Sequence, residues 1–367
     1  MIEILHPTED SARIRTLMAA DSGLRFVDAW STARSELSAI DSFGDADRRD
    51  WDDDRVVECA SRYILYPWRS TLVRLPDAEN FYRLRTARNR YLLDDDEQHT
   101  WGGALIGVAG LSVGSSVVSV CSLTGARRFR IADPDTLGPS NLNRLAASVC
   151  DLGEPKVTLS QRRLLEVDPY TQVDSVPDGY SESASDKFLG GEDTERLSVL
   201  VEEMDDLAMK IAIRKQAREK RIPVIMATDN GDNVILDVER FDLDADYPLF
   251  HGKAGELAGL NDQELNDPAN RARIANAIVG CHVTPRTRFS LTEVGRTLPS
   301  WPQLGTAATA AGSVAGLAAR LLVCGADLPS RRYRVDLDKI LLGDAANSTS
   351  RWNELDEYSF TSLMENR

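Results

Sequence analysis

Histidine is scarce and cysteine is never paired in this sequence. It has four His and five Cys in 367 residues. The cysteines are Cys59, Cys121, Cys150, Cys281 and Cys324, with no C-x-x-C spacing among them. An odd, scattered set excludes a disulfide framework and a four-cysteine zinc site. It fits a reducing, cytoplasmic setting. The one close pair, Cys281-His282, reads as a core or loop pair. Cys281 is the least poor candidate for a thiol nucleophile, although a buried, inert cysteine is the common case. Positive charge is also short. Lys and Arg number 43 against 58 Asp and Glu, a formal charge of −15. That balance argues against a nucleic-acid partner, whose footprint is normally basic. No run is apolar enough for a membrane span, which needs about 20 strongly apolar residues. The nearest stretch, Gly305 to Gly325, is rich in Ala, Gly and Thr and carries Arg320. It reads as a buried helix with small residues for close packing. Met1 to Asp10 shows no apolar signal-peptide segment.

What is present is a β-α-β rhythm from Leu105 onward. Strands are expected at Leu105–Ala109, Arg128–Ala132, Gln172–Val176, Leu197–Glu202, Ile222–Ala227 and Val234–Phe241. Helices are expected from Val117, over Glu154–Val167 with Pro155 at its start, and over Leu207–Lys220. Pro177–Glu195 is polar and reads as a loop. Alternating strands and helices imply an α/β fold with a doubly wound, Rossmann-like, mostly parallel sheet. Ahead of it, Ser11–Ala39 reads as one or two helices. Val56–Leu75 mixes aromatic and β-branched residues. Asn80–Leu93 reads as a basic helix carrying Arg83, Arg85, Arg88 and Arg90, a solvated face unless one of them has a task.

Ligands of such sheets bind at the carboxyl ends of the strands. Three features stand there: the loop Gly110–Ser116, Asp133, and the turn Met204-Asp205-Asp206. The loop reads Ala109-Gly110-Leu111-Ser112-Val113-Gly114-Ser115. A tight turn leading into a helix start suits a phosphate. Its glycine spacing departs from G-x-G-x-x-G, in which only Gly114 keeps register. Asp133 follows Gly114 by about 20 residues, the usual spacing of a ribose-binding acid. Next come Asp135, then Ser140-Asn141-Leu142-Asn143-Arg144, then Gly153-Glu154-Pro155-Lys156, then Asp168-Pro169. Hydride transfer needs no Asn and two cations aimed at a phosphate tail. A triphosphate losing pyrophosphate does.

These motifs resemble the ThiF/MoeB-type adenylyltransferases, kin of the ubiquitin-activating enzymes. Their pattern runs D-x-D, S-N-L-x-R, G-x-P-K, N-P, and later a D-N turn. The resemblance covers roughly Arg85 to Asp237. It implies an N-terminal extension over residues 1–84, a nucleotide-binding adenylation domain over 85–340, and a tail over 341–367. Some relatives continue into a flavin domain where that tail begins. By the same resemblance, Gly110, Ser112 and Gly114 would cradle phosphate. Asp133, with Asp135, would hold the ribose side. Asn141, Arg144 and Lys156 would bind the triphosphate, and Asp205 would hold Mg2+. Arg88, in the family's R-Q/N segment, would reach the phosphates, from the second subunit of a homodimer. Gly312 and Gly316 offer a close-packing surface for such a dimer. The implied catalytic set is Arg88, Arg144, Lys156 and Asp205.

The implied reaction is attack of a carboxylate on the α-phosphate of ATP, giving an acyl-adenylate and pyrophosphate. The implied partner is a small ubiquitin-like or sulfur-carrier protein ending in Gly-Gly, within molybdopterin or thiamine-type biosynthesis. A tRNA- or peptide-modifying relative, or a non-catalytic nucleotide-binding scaffold, is the alternative. Departures from the pattern are the altered glycine loop, Asp206 in place of Asn, Glu202 where Asp is common, and the missing zinc cysteines.

Overall fold

The computed structural model describes residues 1–43, 49–267, 278, 283–347 and 356–365. Cys281 and His282 lie outside the described residues. The chain forms two compact units. One is Met1–His99 with Leu165–Thr171, and the other is Thr100–Leu164 with Gln172–Arg367.

The first unit holds a four-stranded sheet of order β1-β3-β4-β2. Its strands are β1 (Glu3–Leu5), β2 (Arg25–Asp28), β3 (Ser61–Tyr66) and β4 (Thr71–Pro76). The helical stretch expected over Ser11–Ala39 is broken by β2. Helix α1 spans Ser11–Met18, and α2 spans Trp30–Ser42. The breaker is Asp21-Ser22-Gly23. At the end of β2, Asp28 accepts the Trp30 N–H at 3.0 Å, where the second helix starts. Trp30 and Leu37 of α2 then bury against Trp51 and against Val57 of α3 (Asp54–Cys59).

Helix α4 spans Ala78–Thr86, capped by Asp77, and runs through the 84/85 boundary expected from sequence. It ends well before Leu93. A 3-10 turn, Ala87–Asn89, follows and carries the exposed Arg88. The expected solvated arginine face is partly internal. Arg83 pairs with buried Asp41, and Arg85 Nε lies 3.4 Å from the fully buried Asp168.

The second unit opens in α5 (Asp95–Gly103) and is built on a seven-stranded sheet of order β11-β10-β9-β8-β5-β6-β7. Strands β5 (Leu105–Ala109), β6 (Arg128–Ala132) and β7 (Gln172–Val176) fall where the sequence pattern placed them. β8 is Val199–Glu202 and β9 is Val224–Asn230. These five are mutually parallel. β10 (Asn233–Glu239) and β11 (Arg331–Val335) are antiparallel additions. β10 reverses because only Gly231-Asp232 separates its first paired residue from Asn230, and two residues can close only an antiparallel pair.

Helices α6 (Gly114–Leu123), α7 (Lys156–Val167), α8 (Ser185–Leu189) and α9 (Leu207–Glu219) connect the parallel strands. α8 corrects the plain loop expected over Pro177–Glu195. Its Phe188 and Leu189 are buried, which anchors the segment. The helix Gly305–Val323 is long and apolar enough to cross a membrane, yet it packs in the core. A Cβ on Gly312 would stand 2.7 Å from Ser116 of α6. Gly316 likewise faces Val120 and Cys121. The small-residue face expected to join two subunits is therefore spent within one chain. The motive it gave for a dimer lapses.

Candidate active site

The order of the parallel strands reverses between β5 and β8. The loops after these two strands diverge there and leave a crevice. The β5 loop begins at Gly110, whose φ is +91°. A Cβ there would meet the Glu203 backbone at 2.5 Å, so the two loops can lie this close only if residue 110 is glycine. Asp133, at the end of β6, pins the loop from the other side. Its Oδ2 accepts the Leu111 N–H at 2.6 Å, and its Oδ1 accepts the Asp135 N–H at 2.8 Å. Burial raises the Asp133 carboxyl above the usual range, against the lowering effect of those bonds and of Lys156. Lys156, at the start of α7, is buried. Its Nζ lies 2.7 Å from Asp135 Oδ2 and 3.7 Å from Asp133 Oδ1. Asp133, Asp135 and Lys156 are thus one cluster on the β6 side of the loop.

Asn141 closes a 3-10 turn, Pro139–Asn141, by accepting the Gly138 N–H at 2.8 Å. That turn delivers Arg144. Its Nε donates to Ser112 Oγ at 2.8 Å, and its Nη1 to the Ser140 carbonyl at 3.1 Å. Burial draws Arg144 below its ordinary value, opposed by the nearby charges of Asp205 and Asp229.

On the β8 side lies a cleft of about 900 Å³, counting its open mouth. Its polar lining includes Ser112, Glu203, Asp205, Lys210, Asp229 and Gln303. Its apolar wall includes Met226, Val283, Leu291 and Trp301. Asp205 and Asp206 separate cleanly. Asp206 is the N-cap of α9, its Oδ1 accepting the Met209 N–H at 3.0 Å. Asp205 is exposed and lines the cleft.

A buried ion network fixes this turn from beneath. Glu202 Oε1 accepts the Met204 N–H at 2.7 Å and lies 3.1 Å from Lys210 Nζ. Its other oxygen pairs with Arg214, whose Nε reaches Glu239 at 2.7 Å. Arg214 also lies 4.0 Å from the centre of the Phe250 ring. Burial alone would raise Glu202, but Lys210 and Arg214 outweigh it and hold the carboxyl low.

Three cleft residues carried no signal in the motif reading: Glu203, Asp229 and Gln303. Burial pushes Glu203 well above the usual range, and its Oε1 accepts the Ala227 N–H at 2.8 Å. Burial also pushes Asp229 up to about 6, against a hydrogen bond from Gln303 and the charge of Arg144. One signal for Asp229 was available. Asn230-Gly231 marks a hairpin and so extends the strand to place Asp229 at its carboxyl end. The structure brings Gly110, Ser112, Gly114, Asp133, Arg144 and Asp205 around the two diverging loops. Arg88 belongs to the first unit.

Residues 86–242 match the ThiF family. An uncharacterized protein of Mycobacterium tuberculosis (strain CDC 1551 / Oshkosh) is 32% identical over 333 residues, covering 90% of this chain and 44% of that protein. The tRNA threonylcarbamoyladenosine dehydratase of Bacillus subtilis (strain 168) is 28% identical over 149 residues, covering 40% of this chain and 55% of the enzyme. The chain thus spans about half the length of these relatives. The crystal structure of the E. coli tRNA N6-threonylcarbamoyladenosine dehydratase TcdA in complex with AMP superposes with a TM-score of 0.48 at 16% identity, over 66% of this chain and 94% of that one. Family match, strand order and loop geometry coincide on one stretch: residues 86–242 match the ThiF family.

Proposed function

We propose that the crevice binds ATP with Mg2+ and activates a carboxylate as an acyl-adenylate. The observation that carries this reading is Arg144, held by its own turn against Ser112 of the β5 loop at 2.8 Å. That bond sets a half-buried cation at the mouth of a phosphate-type loop. In the step, an acceptor carboxylate oxygen forms a bond to the α-phosphorus. The bond from that phosphorus to the bridging oxygen breaks, and pyrophosphate leaves with the electron pair. The attacking group is already an anion, so no general base is required. Catalysis then rests on positioning and on charge placed where it develops. Arg144 takes the phosphates. Lys156 lies against Asp133 and Asp135 and offsets their charge on the ribose side. Asp205 fits a divalent cation because, unlike Asp206, it is not engaged as a helix cap. Bound Mg2+ would neutralise phosphate charge.

Two acceptor classes each have a specific observation. The relatives named for an activity act on tRNA, which favours a carboxylate on a modified tRNA nucleoside over the molybdopterin role. The formal charge of −15 favours a peptide or a ubiquitin-like carrier. Exchange of labelled pyrophosphate into ATP separates them. The reading expects magnesium-dependent exchange that requires one acceptor, either tRNA or a carrier or peptide with a free C-terminus. Exchange with no acceptor, or with none of these acceptors, contradicts it.

A further inference from the structure

Asp229 stands apart from the family motifs, at the carboxyl end of β9. It lines the same cleft as Asp205. The charges of both carboxylates act on Arg144, and that of Asp205 acts on Asp229. Asp229 Oδ2 accepts a long hydrogen bond, 3.4 Å, from Gln303 Nε2. Its Oδ1 is shut off from solvent and has no hydrogen-bond partner. A buried acceptor left unpaired in a cleft costs free energy unless a ligand completes it.

The ligand must also resolve a charge conflict. ATP brings its phosphates to Arg144. Asp205 and Asp229 flank that cation and would repel them. A divalent cation between the carboxylates and the phosphates turns both repulsions into attractions. Mg2+ is commonly bound through one or two carboxylates plus substrate phosphates, not by a full protein cage.

We infer that Asp229 is a second carboxylate ligand, with Asp205, for the divalent cation that accompanies ATP. The inference rests on the nucleotide reading above. It adds a residue from β9, a strand that none of the family motifs touches. Gln303, which follows Trp301-Pro302 in the cleft wall, is then a positioning residue. It holds Oδ2 and so fixes the orientation of the carboxylate.

The test is Mn2+ binding to the ATP complex, read by the electron paramagnetic resonance signal of free Mn2+. ATP affinity without metal is measured in parallel. Asp229→Asn keeps the shape and removes the charge. It is expected to weaken Mn2+ at least tenfold, while metal-free ATP binds as well as to the wild type or more tightly. Gln303→Ala is expected to weaken Mn2+ less than Asp229→Asn does. If Asn at 229 prevents folding, Asp229→Glu is read in the same titration and should shift Mn2+ affinity at least threefold. Wild-type Mn2+ affinity in a folded Asp229 variant overturns the inference while leaving the nucleotide reading intact. A wild-type protein that binds no ATP overturns both.

Discussion

At the scale of single residues, the neighbours Asp205 and Asp206 have different employment, and two measurements separate them. Asp206 caps α9, so Asp206→Ala should cost about 1 kcal/mol of stability and leave most turnover. Asp205 makes no such bond. Asp205→Ala should leave the unfolding midpoint unchanged and remove most turnover. Equal activity in the two variants would mean that the turn is wrongly assigned. Arg144→Ala removes one positioned cation, which at comparable sites lowers turnover roughly 10² to 10³-fold. Its thermal stability should change little, because Arg144 is half-buried and two of its partner residues, Ser140 and Asn143, are exposed. A drop below tenfold would place Arg144 outside the reaction.

At the scale of elements, what the sequence discloses depends on how local the cause is. β5, β6 and β7 were legible because each is a short apolar or alternating run between turn signals. The reversal of β10 was missed, although Asn230-Gly231 signals it locally. β2 hid inside a helical pattern because its pairing partner, β4, lies more than forty residues away. The motif residues were legible because they sit on the first β-α-β units. Glu203 and Gln303 were not, since an acid or amide in a loop has no pattern until the fold brings it to the cleft; Asp229 becomes legible only with the Asn230-Gly231 hairpin that extends β9 to it. The small residues of Gly305–Val323 signal a close contact, and the partner of Gly312 and Gly316 is α6 of the same chain.

That contact is itself testable. Gly312→Val would drive a side chain into Ser116 and should destabilise the protein by at least about 1–3 kcal/mol, seen as a lower denaturant midpoint. An unchanged midpoint would mean that α6 and this helix are not in contact. The sheet edge offers a pH test. Burial would raise Asp237, but His251 at 2.9 Å and Arg332 at 2.7 Å outweigh it and bring the carboxyl to about 2. A folded-state value below the unfolded one stabilises the fold fully above about pH 4 and ceases to do so as pH falls toward 2. Asp237→Asn should flatten the dependence of stability on pH across that window and lower stability above it. A variant with the wild-type slope would contradict the assignment.

At the scale of the whole molecule, Arg88 and the cleft belong to different compact units. Its proposed action across a dimer is a question for mixed subunits. Arg88→Ala and Arg144→Ala proteins, each nearly inactive, should regain part of the activity when mixed and allowed to exchange. A trans arginine leaves one intact site per mixed dimer, whereas two residues acting in cis leave none. No recovery, with exchange shown independently, excludes the trans role. The central claim is simpler than any of these: the crevice between β5 and β8 is an ATP site. Calorimetric titration of the intact chain with ATP and Mg2+, and separately with NAD, tests it most directly. The account predicts saturable one-to-one binding of ATP with Mg2+, abolished or strongly weakened in Arg144→Ala, and no saturable binding of NAD. Saturable binding of NAD with none of ATP would contradict it.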